Sequence, residues 1–150
     1  MARLVLPNLS YKVCGVLYKI HRDLGWNCKE KIYHSVIATT LAKVGLEFRA
    51  EQPIVLLSSG NSPFKYYLDF VVESLLILEV KATRQFFSVS FIDQVLSYLK
   101  TSNLPLALVV NFRTTRLKPV RVLNPDLKDS DFSQFDTRFS RSIGPFVKIS

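Results

Sequence analysis

The apolar positions of the chain follow helical and strand-like periods in a defined order. Three stretches repeat apolar residues every three or four positions, which predicts amphipathic helices over residues 10–24, 29–44 and 88–102. Five β-rich runs predict strands over residues 46–57, 66–72, 75–81, 104–112 and 119–123. The resulting α-α-β-β-β-α-β-β order predicts an α/β fold with a mixed central β-sheet flanked by helices.

Local signals refine three of these elements. Ser10 is the predicted N-cap of the first helix, and Pro53 places the first strand at an edge of the sheet or marks an interruption in it. The second helix has a predicted inner stripe of Ile32, Tyr33, Val36, Ile37, Thr40, Leu41 and Val44.

The second and third strands predict an antiparallel hairpin that turns at Glu73-Ser74, although this is not a favoured turn pair. Period-two alternation puts Glu79 and Lys81 on one face of the third strand and leaves the other face apolar. A strand with two mostly apolar faces is expected to be central and covered on both sides.

Charged groups in such a strand need partners. The hairpin brings Asp69 beside Glu79, so that two carboxylates and the ammonium of Lys81 converge, and their net negative charge makes a bound cation the natural partner. Carboxylate oxygens suit Mg²⁺ or Mn²⁺, which predicts a metal site on Asp69, Glu79 and the carbonyl of Val80, with Lys81 orienting water. The alternative is a buried ion-paired cluster that only holds the hairpin together.

Composition indicates one globular domain with an unevenly distributed charge. The 150 residues carry a formal charge of +8, with balances of +5, −2, +5 and 0 over residues 1–50, 51–81, 82–121 and 122–150. A cation site between basic flanks suits a polyanion such as nucleic acid, whereas the alternative is a charge that only maintains solubility. The predicted phosphate contacts are Arg84, Lys100, Arg113, Arg116 and Lys118, with Arg121 in the same cluster.

Several other classes of protein are disfavoured. No apolar run approaches the ~18–20 residues that cross a bilayer, and the N-terminus does not resemble a signal peptide, so an intracellular, cytoplasmic location is expected. The potential metal ligands Cys14, Cys28, His21 and His34 match no metal-ligand spacing and are expected in the core or on the surface.

The last residues differ from the rest. Residues 1–125 form the predicted domain, and residues 126–150 form a tail rich in serine and phenylalanine without a clean period. The tail is expected to dock on a surface or a partner, in preference to simple disorder, through Phe132, Phe135, Phe139 and Phe146.

An ordered series of short motifs carries a family resemblance. Asp69, ten residues later Glu79, and Lys81 have the spacing of the PD-(D/E)xK nuclease superfamily. Around this triplet, residues 10–125 resemble the small proteins named for a G-x-x-E-x-x-R motif. The further matching segments are LG-x-x-x-x-E-x-x-Y at residues 24–33, YLDFVV at 67–72, LEVKA at 78–82, DQVLSYLK at 93–100 and LALVVNF at 106–112. Leu68 stands where the superfamily often has proline, and Asn27 where a second glycine is usual.

The resemblance implies a restriction-endonuclease-like core with catalytic residues Glu30, Asp69, Glu79, Lys81 and Gln94. In that reading Glu30 adds a metal or water contact and Gln94 a hydrogen bond. The leading hypothesis is a divalent-metal-dependent nuclease with Mg²⁺ or Mn²⁺ as cofactor, and DNA is favoured over RNA as substrate. The alternatives are a catalytically weak nucleic-acid-binding or assembly module and an enzyme acting on another phosphoester. A homodimer is left open.

Overall fold

Four α-helices and five β-strands form the described part of the chain. The computed structural model describes residues 5–56, 63–85 and 87–142, with side chains up to residue 136. The helices are α1 (Pro7–Leu24), α2 (Glu30–Lys43), α3 (Val89–Ser102) and α4 (Asp129–Ser142). The strands are β1 (Phe48–Leu56), β2 (Phe64–Val72), β3 (Leu76–Lys81), β4 (Leu106–Asn111) and β5 (Val120–Leu123). Within these residues, no helix is long and apolar enough to span a membrane.

The five strands make one mixed sheet in the order β1-β2-β3-β4-β5. β3 and β4 are parallel and are joined through α3, whereas the other neighbouring strands are antiparallel. The central strand is β3, whose residues are all buried except the half-buried Lys81. The predicted element order, the mixed sheet and the edge position of β1 are confirmed.

Helices cover both faces of the sheet. Leu76, Leu78 and Val80 of β3 pack in a core with α1, α2 and Phe132 of α4. Ile77 lies on the opposite face and packs in a second core with α3. By alternation, Glu79 and Lys81 share the face of Ile77, as the period-two pattern predicts.

The hairpin turn forms where it was predicted. Glu73 and Ser74 both have positive φ, 54° and 53°, which is the requirement of a type I′ turn, and the Leu75 amide donates to the Val72 carbonyl. Glu47, which directly precedes β1, supports this unusual turn, because the Glu73 amide donates to the Glu47 carbonyl at 2.8 Å and the Glu47 amide donates to Glu73 Oε1 at 3.1 Å.

The predicted start of α1 is wrong. The helix begins at Pro7, which is well suited to a first helical position, and the Ser10 amide donates to the Leu6 carbonyl. Ser10 therefore lies inside the helix and is buried, and its Oγ accepts a hydrogen bond from the Arg121 guanidinium. The same guanidinium donates to the Val5 carbonyl.

The inner stripe of α2 is narrower than predicted. Tyr33, Ile37 and Leu41 are buried, whereas Ile32 and Val44 are exposed. The helix packs against α1 and one face of the sheet, so only one residue in each turn needs to be fully buried.

Part of the C-terminal tail is helical. Phe132 of α4 is buried in the core that contains α1 and α2, and Phe135 packs against that core. The Leu6 amide donates to Asp136 Oδ1 at 2.9 Å, which joins the helix to the N-terminal segment. The side chain of Phe139 and all of Phe146 lie outside the described residues, so their predicted docking stays a prediction.

Candidate active site

β2 and β3 separate at Asp69. Their pairing ends with Phe70 opposite Leu78, and side chains replace backbone pairing at the next position. The Val80 amide donates to Asp69 Oδ2 at 2.7 Å, and the Asp69 amide donates to Glu79 Oε1 at 3.2 Å. The two carboxylates are therefore held together at the point where the central strands separate.

The regular pattern of β2 is interrupted at the same residue. Leu68 and Val71 pack in the core on the α3 face, whereas Phe70 packs in the opposite core, so the strict alternation expected from the sequence breaks at Asp69. Opposite it, Glu51 of β1 has φ of 50°, and the β1–β2 pairing includes the positions on either side but not this one. A positive φ at glutamate is uncommon. The interruption leaves the Asp69 carboxylate free to reach the Val80 amide.

Glu79 is a buried carboxyl group with only 6% of its surface exposed. Burial, and then the neighbouring charge of Asp69, raise its pKa to about 8. Burial also raises the pKa of Asp69, and this effect is opposed by the hydrogen bond from Val80 and by the charges of His34 and Lys81. Without a cation, the site therefore disfavours two ionised carboxylates.

Tyr33 anchors the first turn of α2. Its hydroxyl donates to the Gly25 carbonyl at 2.6 Å and accepts from the Cys28 amide at 3.2 Å, while its ring stacks on Phe112 with centroids 4.2 Å apart. Gly25, at φ of 76°, ends α1 in a conformation that favours glycine. These contacts fix the α1–α2 connection and hence the position of Glu30, the first residue of α2.

α2 also brings His34 to the site, although this residue was predicted to have only a core or surface role. His34 Nε2 lies 3.5 Å from Glu30 Oε1 and 3.7 Å from Asp69 Oδ2, and the ring packs on Phe70. Glu30 and His34 are four residues apart, so they share a helix face, and this spacing could have revealed the pair.

The site has ligand chemistry that fits a divalent cation. Ligand atoms of Glu30, His34 and Asp69 all lie within 4.8 Å of one another, and His34 Nε2 is buried without a hydrogen-bond partner in the described structure. Glu79 contacts Asp69 but is not a member of this group. Asp69 thus belongs to two potential ligand sets. One is the predicted set of Asp69, Glu79 and Val80, and the other is the group that Asp69 forms with Glu30 and His34 of α2. The Val80 amide lies at the site through its hydrogen bond to Asp69, and the role of the Val80 carbonyl as a ligand stays a prediction.

Lys81 is not the partner of either carboxylate in an ion pair. No ion pair within 4.0 Å joins it to Asp69 or Glu79 among the described residues, and its Nζ lies 4.7 Å from the centre of the Phe91 ring. Gln94 is half-buried on α3, and helical spacing places it on the face that Phe91 and Tyr98 present to the sheet. Phe91 therefore contacts Lys81 from α3, and the role of Gln94 at the site stays a prediction.

The predicted phosphate contacts are distributed over both ends of the sheet. Arg84 follows β3, and Arg113, Arg116 and Lys118 follow β4, so these four lie at the ends of the parallel strands that carry Lys81 and Asn111. All are exposed except Arg113, which is half-buried and has a buried Nε without a hydrogen-bond partner in the described structure. Lys100 lies in the last turn of α3, which leads to the opposite end of β4. The Arg121 guanidinium instead donates hydrogen bonds to Ser10 Oγ and the Val5 carbonyl, and burial lowers the pKa of this group.

Asn111 is a positioning residue that sequence reasoning missed. It pairs with Lys81 in the sheet, and its Oδ1 accepts from the amides of Thr83 and Arg113 at 3.1 Å each. Its Nδ2 donates to the Thr83 carbonyl at 2.7 Å. The residue thereby holds the segment after Lys81 against the end of β4. Its only sequence signal is a polar residue that ends an apolar strand.

The family of the chain follows from a match that covers most of its length. The model of the PD-(D/E)XK nuclease superfamily matches residues 7–122. The chain therefore belongs to this superfamily, and its α/β architecture is the expected restriction-endonuclease-like core. The narrower resemblance to the G-x-x-E-x-x-R proteins stays a prediction.

Other comparisons add little about function. Among curated proteins, none matches this chain. A solved structure titled as the crystal structure of SSO0001 is similar at 15% identity and a TM-score of 0.47, over 94% of this chain and 73% of the other.

Proposed function

We propose that this protein is a divalent-metal-dependent nuclease that hydrolyses phosphodiester bonds in DNA. The observation that carries the proposal is the juxtaposition of Asp69 and Glu79 at the separation of β2 and β3, with Lys81 two residues further along the central strand. Membership of the nuclease superfamily supports nucleic acid as the substrate. The charge of +8 supports a polyanionic partner as well. An intracellular location would be consistent with this substrate.

Asp69 is the shared ligand in the proposed metal site, which Glu79 and the Val80 carbonyl from β3 and Glu30 and His34 from α2 would complete. The carboxylates are hard oxygen ligands that suit Mg²⁺ or Mn²⁺. The imidazole of His34 is a softer ligand, which favours Mn²⁺ over Mg²⁺ if it participates. A bound cation would neutralise charge on the phosphate and lower the pKa of a coordinated water.

The residues of the chain supply the other requirements of hydrolysis. Water adds to phosphorus as the bond to the leaving oxygen breaks, so negative charge develops on the phosphoryl and leaving oxygens. Lys81 has an ammonium group that is free of ion pairs with the two carboxylates, and we assign it to orient the water and stabilise this charge. Gln94 is assigned a hydrogen bond to the water or the phosphate from α3.

A substrate panel tests the proposal. Purified protein would be incubated with labelled single-stranded, duplex and branched DNA and with RNA, each in Mg²⁺, Mn²⁺ or EDTA. We expect cleavage of at least one DNA substrate in Mn²⁺ or Mg²⁺ and none in EDTA. Tight binding without cleavage in either metal would contradict the nuclease proposal and favour a nucleic-acid-binding module. Equal cleavage in EDTA would contradict the metal requirement.

A further inference from the structure

A second surface, remote in sequence from the Asp69–Lys81 hairpin, has the composition of a ligand-binding groove. This groove of about 740 Å³ lies between α1 and the end of α2. It is lined by residues of α1 together with Thr40 and Val44. The proposed catalytic residues are not among those that line it.

Two aromatic side chains stand on the α1 wall of the groove. Tyr11 is 64% exposed and Tyr18 is 49% exposed, and both line the groove. They are seven residues apart, which places them on the same side of the helix about 10 Å apart along its axis. Gly15 lies between them, and a Cβ added there would meet nothing within 4 Å in the described structure. The helix therefore presents two accessible rings with an open space between them.

The charged residues that line the groove are all cationic. They are Lys12, Lys19 and Arg22, and no Asp or Glu lines the groove within the described residues. Lys19 is paired with Asp23 at 2.6 Å, but both side chains are more than half exposed, so the pair is open to exchange with another anion. The groove thus combines exposed rings with an excess of positive charge.

We propose that this α1 groove binds single-stranded nucleic acid. Exposed tyrosine rings offer stacking surfaces for unpaired bases, and flanking Lys and Arg side chains contact phosphates, which is how proteins hold single strands without reading their sequence. A duplex keeps its bases stacked internally and gains only the phosphate contacts. The proposal rests on the proposed function for the class of ligand, but it does not require catalysis.

Binding to a labelled oligo(dT) strand in EDTA, measured by fluorescence anisotropy, tests the groove without cleavage. Stacking contributes roughly five- to hundredfold in affinity per base, so Tyr11→Ala/Tyr18→Ala should bind at least about tenfold more weakly than the parent protein. Tyr11→Phe/Tyr18→Phe keeps the rings and should bind as the parent does. Tyr67→Ala, which removes a 58% exposed tyrosine from β2, is the matched control and should change affinity less than twofold.

Three outcomes would overturn the proposal. The first is unchanged oligo(dT) affinity in the double alanine variant while its thermal melting matches that of the parent. The second is an equal loss of affinity for duplex DNA, because stacking would then not be involved. The third is binding of a Phe-containing acidic peptide, but not of oligo(dT), by the groove. Cleavage of duplex DNA with Mn²⁺ in any of these cases would leave the proposed nuclease function standing, whereas absence of all nucleic-acid binding and cleavage would contradict both.

Discussion

Asp69 and Glu79 illustrate how two residues can share one site and have different roles in it. The Asp69 carboxylate accepts a hydrogen bond from the Val80 amide, and Asp69 belongs to both potential ligand sets. Glu79 is almost fully buried and accepts a hydrogen bond from the Asp69 amide. Each carboxylate therefore satisfies a backbone amide that the separation of β2 and β3 leaves without a strand partner. The same carboxylates supply the charge that would attract a cation.

Lys81→Ala should abolish cleavage and leave the fold nearly intact. Among the described residues Lys81 has no ion pair with Asp69 or Glu79, and because it is half-buried its cation–π contact with Phe91 is worth about 0.5–2 kcal/mol. Loss of one positioned electrostatic group costs roughly 100- to 1,000-fold in rate. Single-turnover cleavage and urea unfolding would be measured together. Lys65→Ala is the control, because Lys65 is exposed and likewise makes a cation–π contact, with its Nζ 5.4 Å from the Tyr67 ring centre. A Lys81→Ala protein that is several kcal/mol less stable would indicate a structural role.

Glu79 should make the stability of the metal-free protein fall as pH rises. Its pKa is about 8 in the folded protein against 4.5 ordinarily, so between these values the folded state holds a proton that the unfolded state releases. The stabilising contribution is complete below about pH 4.5 and is lost as pH rises through about 8. One pKa unit corresponds to about 1.4 kcal/mol, which gives a loss of a few kcal/mol.

Urea unfolding in EDTA at several pH values between these limits measures the effect. Glu79→Gln cannot titrate and should show a much flatter dependence on pH than the parent protein. Parallel pH dependences in the two proteins would mean that Glu79 is not the group responsible.

At the scale of elements, the hairpin was predictable because its information is local. Apolar alternation and the charged residues between 65 and 82 identify β2, β3 and the convergence of Asp69 with Glu79. The interruption of β2 was not predictable, because it coincides with a positive φ at Glu51 in the neighbouring strand, which no local sequence signal indicates. Pro7 was a local signal for the start of α1, whereas the burial of Ser10 depends on Arg121, which is distant in sequence.

The α2 contribution was only partly predictable. The motif resemblance identified Glu30, but His34 was assigned to the core or surface because its partner Asp69 lies on another element. The α4 helix was missed because its apolar residues are few and its burial depends on a core formed by α1 and α2. Tertiary contacts, which local periodicity does not contain, decide each of these cases.

Tyr33→Phe should test how the α1–α2 connection supports the site. The variant keeps the stacking on Phe112 but loses the hydrogen bonds to the Gly25 carbonyl and from the Cys28 amide. An unsatisfied buried group costs about 1–3 kcal/mol, and we expect the variant to be destabilised by that amount. We also expect slower cleavage, because the α1–α2 connection that Tyr33 holds positions Glu30 and His34. Urea unfolding measures the first effect. Tyr67→Phe, at an exposed tyrosine, is the control, and equal unfolding free energies for the two variants would contradict this role.

At the scale of the whole molecule, charge and topology place a basic loop at one end of the sheet. The loop between β4 and β5 carries Arg116 and Lys118, both exposed, at the end of the sheet where Lys81 lies. Arg121, by contrast, ties β5 to the start of α1. The basic residues between 82 and 121 therefore include exposed side chains and one with structural contacts, which the sequence could not separate.

The salt dependence of duplex DNA binding in EDTA should show whether this loop contacts phosphates. Arg116→Ala/Lys118→Ala removes two potential phosphate contacts, so the slope of log K against log salt should become shallower by about 1.8. Lys65→Ala/Lys128→Ala makes the same change in net charge at other exposed positions and should alter the slope by less than half as much. If both pairs change the slope equally, the loop makes no specific contribution to binding.

The most direct test of the account is single-turnover cleavage of a labelled DNA substrate in saturating Mn²⁺ by the parent protein, Asp69→Asn and Asp126→Asn. The Asp69 carboxylate accepts a hydrogen bond from the Val80 amide, and Asp69 belongs to both potential ligand sets. Asp126 is the control, because it is exposed at a turn after β5. We predict that Asp69→Asn lowers the rate at least about 100-fold and that Asp126→Asn cleaves within about twofold of the parent. Cleavage by Asp69→Asn at the parental rate would contradict the assignment of this site as the nuclease centre.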